Sequence, residues 1–337
     1  MREYTTVLIV FILILVQICY SSSVPSTLVF VGVYDDSEFA YYNVEISLSN
    51  GKIHNKQQVD ISEIELSNFV SVLNYSPNDG YLMVTEVEGS SRNQYYLELG
   101  NIDSKGTYTS DTDNIKYQVF NPPLAPYIGY DNLTETLLFV AADYQDQAFL
   151  YFYNFKTLTL TPLNLKIDAI YPYIPAGVYD VETQSYYILY VEEKSSDIEL
   201  VTYDLSQKSL GPAQTIKGIE SLNALNSTYL IVTNKELYLL DLNNANDQLV
   251  FYSIDQNSGT ANPLYSTTNY QTNSTIISQN YYTTPGSDYI VFFTFPSPTN
   301  QDTVSIITFE ISTATVVSTS KVTNFPYLNT DSPSWLF

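Results

Sequence analysis

The chain has little of what most catalytic machinery requires. Its 337 residues include 1 Cys, 1 His and 1 Trp, only 12 Gly, and 13 Lys and Arg against 36 Asp and Glu. With one histidine, His54, sitting just after a Ser49-Asn50-Gly51-Lys52 turn, a Ser-His-Asp triad would have to recruit an exposed turn residue. Histidine-rich zinc sites are excluded, and H-E-x-x-H does not occur. Neither G-x-G-x-x-G nor G-x-x-x-x-G-K is present, which removes the common phosphate-cradling loops. The formal net charge of -23 repels nucleic acid and anionic lipid, so neither is expected as a partner.

The single cysteine is also misplaced for structural use. Met1 to about Ser23 reads as a secretory signal: Arg2 is a minimal basic region, Val7 to Val16 is an unbroken apolar run, and Ser21, Ser22 and Ser23 are small residues at the cleavage end. The run is shorter than the roughly 20 residues a membrane span needs. Cys19 falls inside this signal, so residues 24–337 form a cysteine-free chain that must hold together in an oxidising compartment without disulfides. A chain of that length can bury enough core to do so. Four N-x-S/T sequons, at Asn74, Asn132, Asn226 and Asn273, then become candidate glycosylation sites on the surface. Secretion to the extracellular space is the expected destination, with an endolysosomal lumen as the alternative.

What is abundant is β-forming sequence. The chain is 45% hydrophobic and carries 32 Tyr and 16 Phe, and apolar residues alternate with polar ones along most of its length. Strong strands, termed b, are expected at Leu28–Val33, Tyr81–Val87, Leu137–Ala142, Tyr186–Val191, Tyr229–Thr233 and Tyr289–Phe295. Each is followed by a polar turn and a second strand, c, then by a weaker strand d, with strand a preceding the next b. The mean period is about 52 residues, slightly above the blade length of known propeller repeats. Pro126-Tyr127-Ile128, Pro172-Tyr173-Ile174 and Pro326-Tyr327-Leu328 recur where strand a begins. The first unit lacks its own a, and the chain ends in an a-like segment at Pro326–Asn329 that would complete it. On these features the chain resembles the β-propeller superfamily in architecture, as an all-β, six-bladed ring closed by a C-terminal strand. Trp-Asp dipeptides, Gly-Gly pairs and the Asp box of particular propeller families are absent. A seven-bladed ring or a pair of β-sandwiches are the alternatives.

A propeller sorts its loops by face: b–c and d–a on one side, a–b and c–d on the other. By this sorting Asn74, Asn132 and Asn226 fall between a and b, and Lys52, Lys105, Lys156 and Lys208 fall in c–d turns. The b–c loops carry Asp35, Asp36, Glu38, Asp143, Asp146, Glu192 and Glu193. One face is therefore expected to bear sugar, and the other to be an open acidic surface that concentrates cations. Tyr127, Tyr173 and Tyr327 at the starts of the inner strands are added as binding candidates, since tyrosine is an amphipathic interface residue. Asp also favours turns for purely local hydrogen-bonding reasons, a competing explanation for the same acids. No cofactor is expected. Calcium is the one metal the loops leave open, at fragments such as Asp35-Asp36-Ser37-Glu38, although no EF-hand loop is present.

The sequence thus points to a secreted, N-glycosylated, non-enzymatic binding module. Its acidic, Tyr-bearing face would meet an extracellular protein or a cationic ligand. The alternative is a secreted or endolysosomal hydrolase working through paired carboxylates, with or without calcium, because glycosidases need only two acids.

Overall fold

The computed structural model describes residues 24–35, 38, 40–59, 69–76, 80–88, 95–110, 115–117, 129–131, 133–142, 147–154, 156–157, 159–170, 176–192, 194–219, 222, 228–243, 248–268, 281–283, 286–294, 303–323 and 335–336. The signal region, and the segments holding Asp36, Asp143, Asp146, Glu193, Tyr127, Tyr173 and Tyr327, lie outside the described residues, as do Asn132, Asn226 and Asn273.

Among the described residues the strands fall into six antiparallel sheets, taken here in chain order. Sheet 1 contains β1 (Thr27–Asp35), β2 (Ala40–Ser47) and β3 (Ile53–Val59). Sheet 2 contains β4 (Phe69–Ser76), β5 (Gly80–Glu88), β6 (Tyr95–Ile102), β7 (Tyr108–Ser110) and β8 (Ile115–Tyr117). Sheet 3 contains β9 (Gly129–Asp131), β10 (Thr136–Ala142), β11 (Gln147–Asn154) and β12 (Thr159–Ile170). Sheet 4 contains β13 (Ala176–Asp180), β14 (Ser185–Val191), β15 (Ile198–Asp204), β16 (Ser209–Leu210) and β17 (Gln214–Thr215). Sheet 5 contains β18 (Thr228–Thr233), β19 (Glu236–Asn243), β20 (Gln248–Asp255) and β21 (Thr260–Thr268). Sheet 6 contains β22 (Tyr281–Tyr282), β23 (Tyr289–Thr294), β24 (Thr303–Glu310) and β25 (Thr315–Thr323). The last strand, β26 (Trp335–Leu336), returns to the first sheet and pairs antiparallel with β1, Phe30 opposite Leu336 and Val31 opposite Trp335.

This is the all-β propeller arrangement, and burial explains why each strand takes its place. The second strand of sheet 4, β14, reads Ser-Tyr-Tyr-Ile-Leu-Tyr-Val and is buried on both of its faces, because it is flanked within its sheet and covered by sheets above and below. The outermost strand of sheet 6, β25, is rich in Thr and Ser and mostly exposed. First strands of neighbouring sheets lie against one another, β9 beside β13 and β13 beside β18, so these are the strands that converge on a common axis.

The core lies between sheets. Leu138, Val140 and Leu150 of sheet 3 pack with Tyr186, Ile188 and Tyr203 of sheet 4. Leu189 and Leu200 of sheet 4 meet Leu230 and Leu239 of sheet 5. Ile231 and Phe251 of sheet 5 meet Phe292 and Phe309 of sheet 6, with Phe251 and Phe309 edge-on at 5.1 Å. Val291 and Ile306 of sheet 6 pack with Leu28 and Val44 of sheet 1, so the last complete sheet is seated on the first. Burying large apolar faces between consecutive sheets supplies the stabilisation that disulfides provide in smaller secreted domains.

Two expectations are corrected. The closing strand is Trp335–Leu336, while Pro326–Asn329 lies outside the described residues. The fifth unit is also out of phase with the sequence reading. Tyr229–Thr233 was expected to be a b strand, but β18 is the first strand of its sheet, and the second is β19, expected as c. In the structure β19 begins at Glu236, 51 residues after the start of β14 at Ser185 and 53 before the start of β23 at Tyr289. That spacing matches the other units better than a start at Tyr229.

Candidate functional site

The a–b and c–d turns do lie side by side. In sheet 3 the a–b residue Glu135 pairs with the exposed c–d residue Lys156 at 3.3 Å, and Asn154 Nδ2 donates to the Thr134 carbonyl at 3.0 Å. In sheet 6 the Ser312 amide donates to Asp288 at 2.9 Å, again joining one turn to the other.

The c–d turns share a chemistry that the sequence reading missed. Asn154-Phe-Lys-Thr-Leu-Thr, Asp204-Leu-Ser-Gln-Lys-Ser, Asp255-Gln-Asn-Ser-Gly-Thr and Glu310-Ile-Ser-Thr-Ala-Thr begin with a side-chain acceptor and end in Thr or Ser. The residue before that Thr or Ser is left-handed at Lys208, Gly259 and Ala314, with φ of 54°, 68° and 51°. The leading acceptor caps the turn. Asp204 accepts from the Gln207 amide at 2.9 Å and the Ser206 hydroxyl at 2.6 Å, and Asp255 accepts from the Asn257 amide at 2.9 Å and the Ser258 hydroxyl at 2.7 Å. Bonds that favour the ionised carboxylate hold Asp204 and Asp255 below the usual range, the Ser206 and Ser258 hydroxyls contributing most. Hydrogen bonds from the Thr313 and Tyr289 hydroxyls do the same for Glu310, and the Thr107 amide leads for Asp103.

Asp131 and Asp180 end the first strands of sheets 3 and 4 in the same way. Asp131 accepts from the Leu133 amide and Thr134 hydroxyl, and Asp180 from the Glu182 amide and Thr183 hydroxyl, at 2.6–3.0 Å. Many acids therefore sit on the a–b and c–d side as turn caps. Among the described residues acids are therefore found on both sides, with Asp35, Glu38 and Glu192 on the b–c side. The local hydrogen-bonding explanation accounts for the six turn caps.

The sequons also divide differently. Asn74 lies in β4 near its junction with β5, and Asn132 lies in the segment between β9 and β10, as expected. Asn226 precedes β18, the first strand of sheet 5, and so belongs to a d–a connection, as does Asn273 before β22. The four are split two and two by topology, so neither side is free of sequons.

Of the expected b–c acids, the structure places three. Asp35 ends β1. Glu38 is exposed and already engaged: Lys56 Nζ lies 3.3 Å from it and 3.9 Å over the Tyr42 ring, and the Tyr42 hydroxyl donates to the same carboxylate. Glu192 accepts the Ser195 amide at 2.8 Å, and the hydroxyl and amide of Ser195 lower its pKa. These three are not brought into one cluster by any described contact. Among the described residues no group of three or more His, Cys, Asp or Glu is placed to hold a metal ion, and no helix is long and apolar enough to cross a membrane.

Two hollows open on the a–b and c–d side of sheets 4 to 6. One, of about 190 Å³, lies where the first strands β13, β18 and β22 end, and is lined by Tyr179, Asp180, Glu182, Asn234, Lys235 and Tyr281 among others. The second, of about 540 Å³, runs outward along sheet 5 past Glu236, Asp255 and Asn262. Lys235 borders both.

No protein-family model matches the chain, and no curated protein matches it. Solved structures do. TolB from Acinetobacter baumannii is similar at 13% identity with a TM-score of 0.52, covering 88% of this chain and 66% of that one, so this chain spans just under two thirds of TolB. A nidogen/laminin complex structure matches at 10% identity and a TM-score of 0.51, over 92% of this chain and 97% of the other. A putative 6-phosphogluconolactonase from Bacteroides fragilis matches at 12% identity and a TM-score of 0.50, over 94% and 99%. Identities this low carry the fold alone, and the fold is that of a β-propeller.

Proposed function

We propose that the chain is a secreted, N-glycosylated binding protein whose six sheets are the six blades of one closed ring, and that its acidic loops capture a basic extracellular protein or another cationic ligand. The observation that carries this reading is the character of the charge. The chain has a formal net charge of -23, and in the b–c loop of sheet 4 hydrogen bonds from the Ser195 hydroxyl and amide hold Glu192 ionised below the usual carboxylate range. Such a surface stays negative in a mildly acidic lumen as well as outside the cell. It steers cations by long-range attraction, which salt screens.

The test uses a deca-lysine peptide as probe. Binding to the full-length secreted protein is expected at low salt and should weaken steeply as salt rises. Replacing four b–c acids together, Asp35→Asn, Asp36→Asn, Glu192→Gln and Glu193→Gln, should weaken it about tenfold, the scale of a few rim charge contacts. An affinity unchanged by these substitutions removes the b–c loops as the capture surface.

A further inference from the structure

The smaller hollow has a composition that a general acidic surface does not explain. Tyr179 and Tyr281 reach it from the first strands of sheets 4 and 6, and Val178 and Val232 add apolar lining. Its two exposed rim charges have opposite signs and come from different sheets: Glu182 from the turn after β13, and Lys235 from the turn after β18. Among the described residues the Glu182 carboxylate and the Lys235 ammonium have no ion-pair partner, and they do not pair with each other. The lining also includes Asp180, which is buried and already accepts from the Glu182 amide and the Thr183 hydroxyl, so the two exposed charges of opposite sign beside aromatic and aliphatic lining match a ligand that carries both signs on an apolar body.

The local backbone fixes where the cation sits. Thr233-Asn234-Lys235-Glu236 is a two-residue hairpin in which both central residues are left-handed, with φ of 52° and 62°. Asn tolerates this geometry, and Gly is the residue that best suits the second place, where Lys is strained. Asn234 Nδ2 and the Thr233 hydroxyl donate to the Ser287 carbonyl at 3.2 and 2.9 Å, tying the hairpin to sheet 6. The ammonium is thus carried on a turn that is anchored to the next sheet.

We propose that this hollow is a binding site for a small zwitterion, with the chemistry of a free α-amino acid bearing an apolar side chain. The ligand ammonium meets Glu182, its carboxylate meets Lys235, and its side chain lies between Tyr179 and Tyr281.

Titration calorimetry of the full-length protein with L-leucine, isopentylamine and 4-methylpentanoate tests the assignment. The last two are leucine analogues that keep one charge each. Leucine should bind more tightly than either by about tenfold, since each solvent-exposed charge contact contributes on the order of 1 kcal/mol. The informative variant is Lys235→Gly, because Asn-Gly is the preferred pair for this turn and the fold should be retained with an unchanged or higher Tm. It should reduce leucine affinity to that of isopentylamine and leave isopentylamine binding as it was. Glu182→Gln should do the reverse, sparing 4-methylpentanoate. The four-fold b–c loop variant should bind leucine normally, so this site and the acidic loop reading fail separately. Absence of leucine binding, or an equal loss of all three ligands in Lys235→Gly, overturns the proposal.

Discussion

Asp241 is a carboxyl whose chemistry departs from that of its kind. It lies on β19, is 3% exposed, and accepts one hydrogen bond, from the Thr228 hydroxyl at 3.1 Å. Burial disfavours its charge and raises its pKa to about 6, with the threonine bond only partly offsetting this. The sign follows from linkage. The folded state keeps the proton between roughly pH 4 and 6 while the unfolded chain releases it, so the contribution of Asp241 to stability is full below pH 4 and lost as pH rises to 6. The difference is about 3 kcal/mol from a shift of this size. Asp241→Asn should therefore raise Tm at pH 7 and give no gain at pH 4, which calorimetry at the two pH values would show. The turn-capping carboxylates act in the opposite sense, since their lowered pKa values favour folding until the pH drops through them. A gain for Asp241→Asn that is the same at both pH values would mean that the carboxyl is not titrating in the folded protein.

Among the elements, the turns decide more than the strands. Gly51 ends the c–d turn of sheet 1 with φ at 68°, and a Cβ there would lie 2.1 Å from the Lys321 carbonyl of β25 in sheet 6. Gly51→Ala meets both a left-handed backbone and a main-chain oxygen that cannot swing aside, so a loss of about 3 kcal/mol or more is expected in denaturant unfolding. A loss below about 1 kcal/mol would show that sheets 1 and 6 do not approach this closely. The central strands were legible from sequence because burial on two faces demands runs such as Tyr186–Val191, which polar turns then interrupt. The phase slip in sheet 5 was not. Its first strand, Tyr-Leu-Ile-Val, is as apolar as a second strand elsewhere, and only the uneven spacing around Tyr229 betrayed it. The turn caps were visible as Asp-x-x-x-Gly/Lys-Thr/Ser runs, but their role depends on a left-handed residue that composition does not show. The residues of the smaller hollow were invisible for another reason. Tyr179, Lys235 and Tyr281 are far apart in sequence, and only the convergence of three first strands brings them together.

For the whole molecule, the decisive contact is the smallest. The chain carries strong self-repulsion from its net charge, and its sheets are held by packing between neighbours and not by covalent links. Sheets 6 and 1 meet through Val291, Val304 and Val44, but the backbone seam between the chain ends is the pairing of Trp335 and Leu336 with β1. Removing residues 335–337 leaves the inner edge of β1 without its partner, and an open edge both loses hydrogen bonds and invites another chain to supply them. Losing a few such bonds should cost about 2–4 kcal/mol and lower Tm by about 3–6 °C. Because the apolar seam between sheets 6 and 1 remains, the truncated protein should still fold, and the exposed edge should appear as concentration-dependent association in size-exclusion chromatography. A truncated chain with full Tm and no association would mean that side-chain packing alone closes the ring, with the terminal strand an accessory to it.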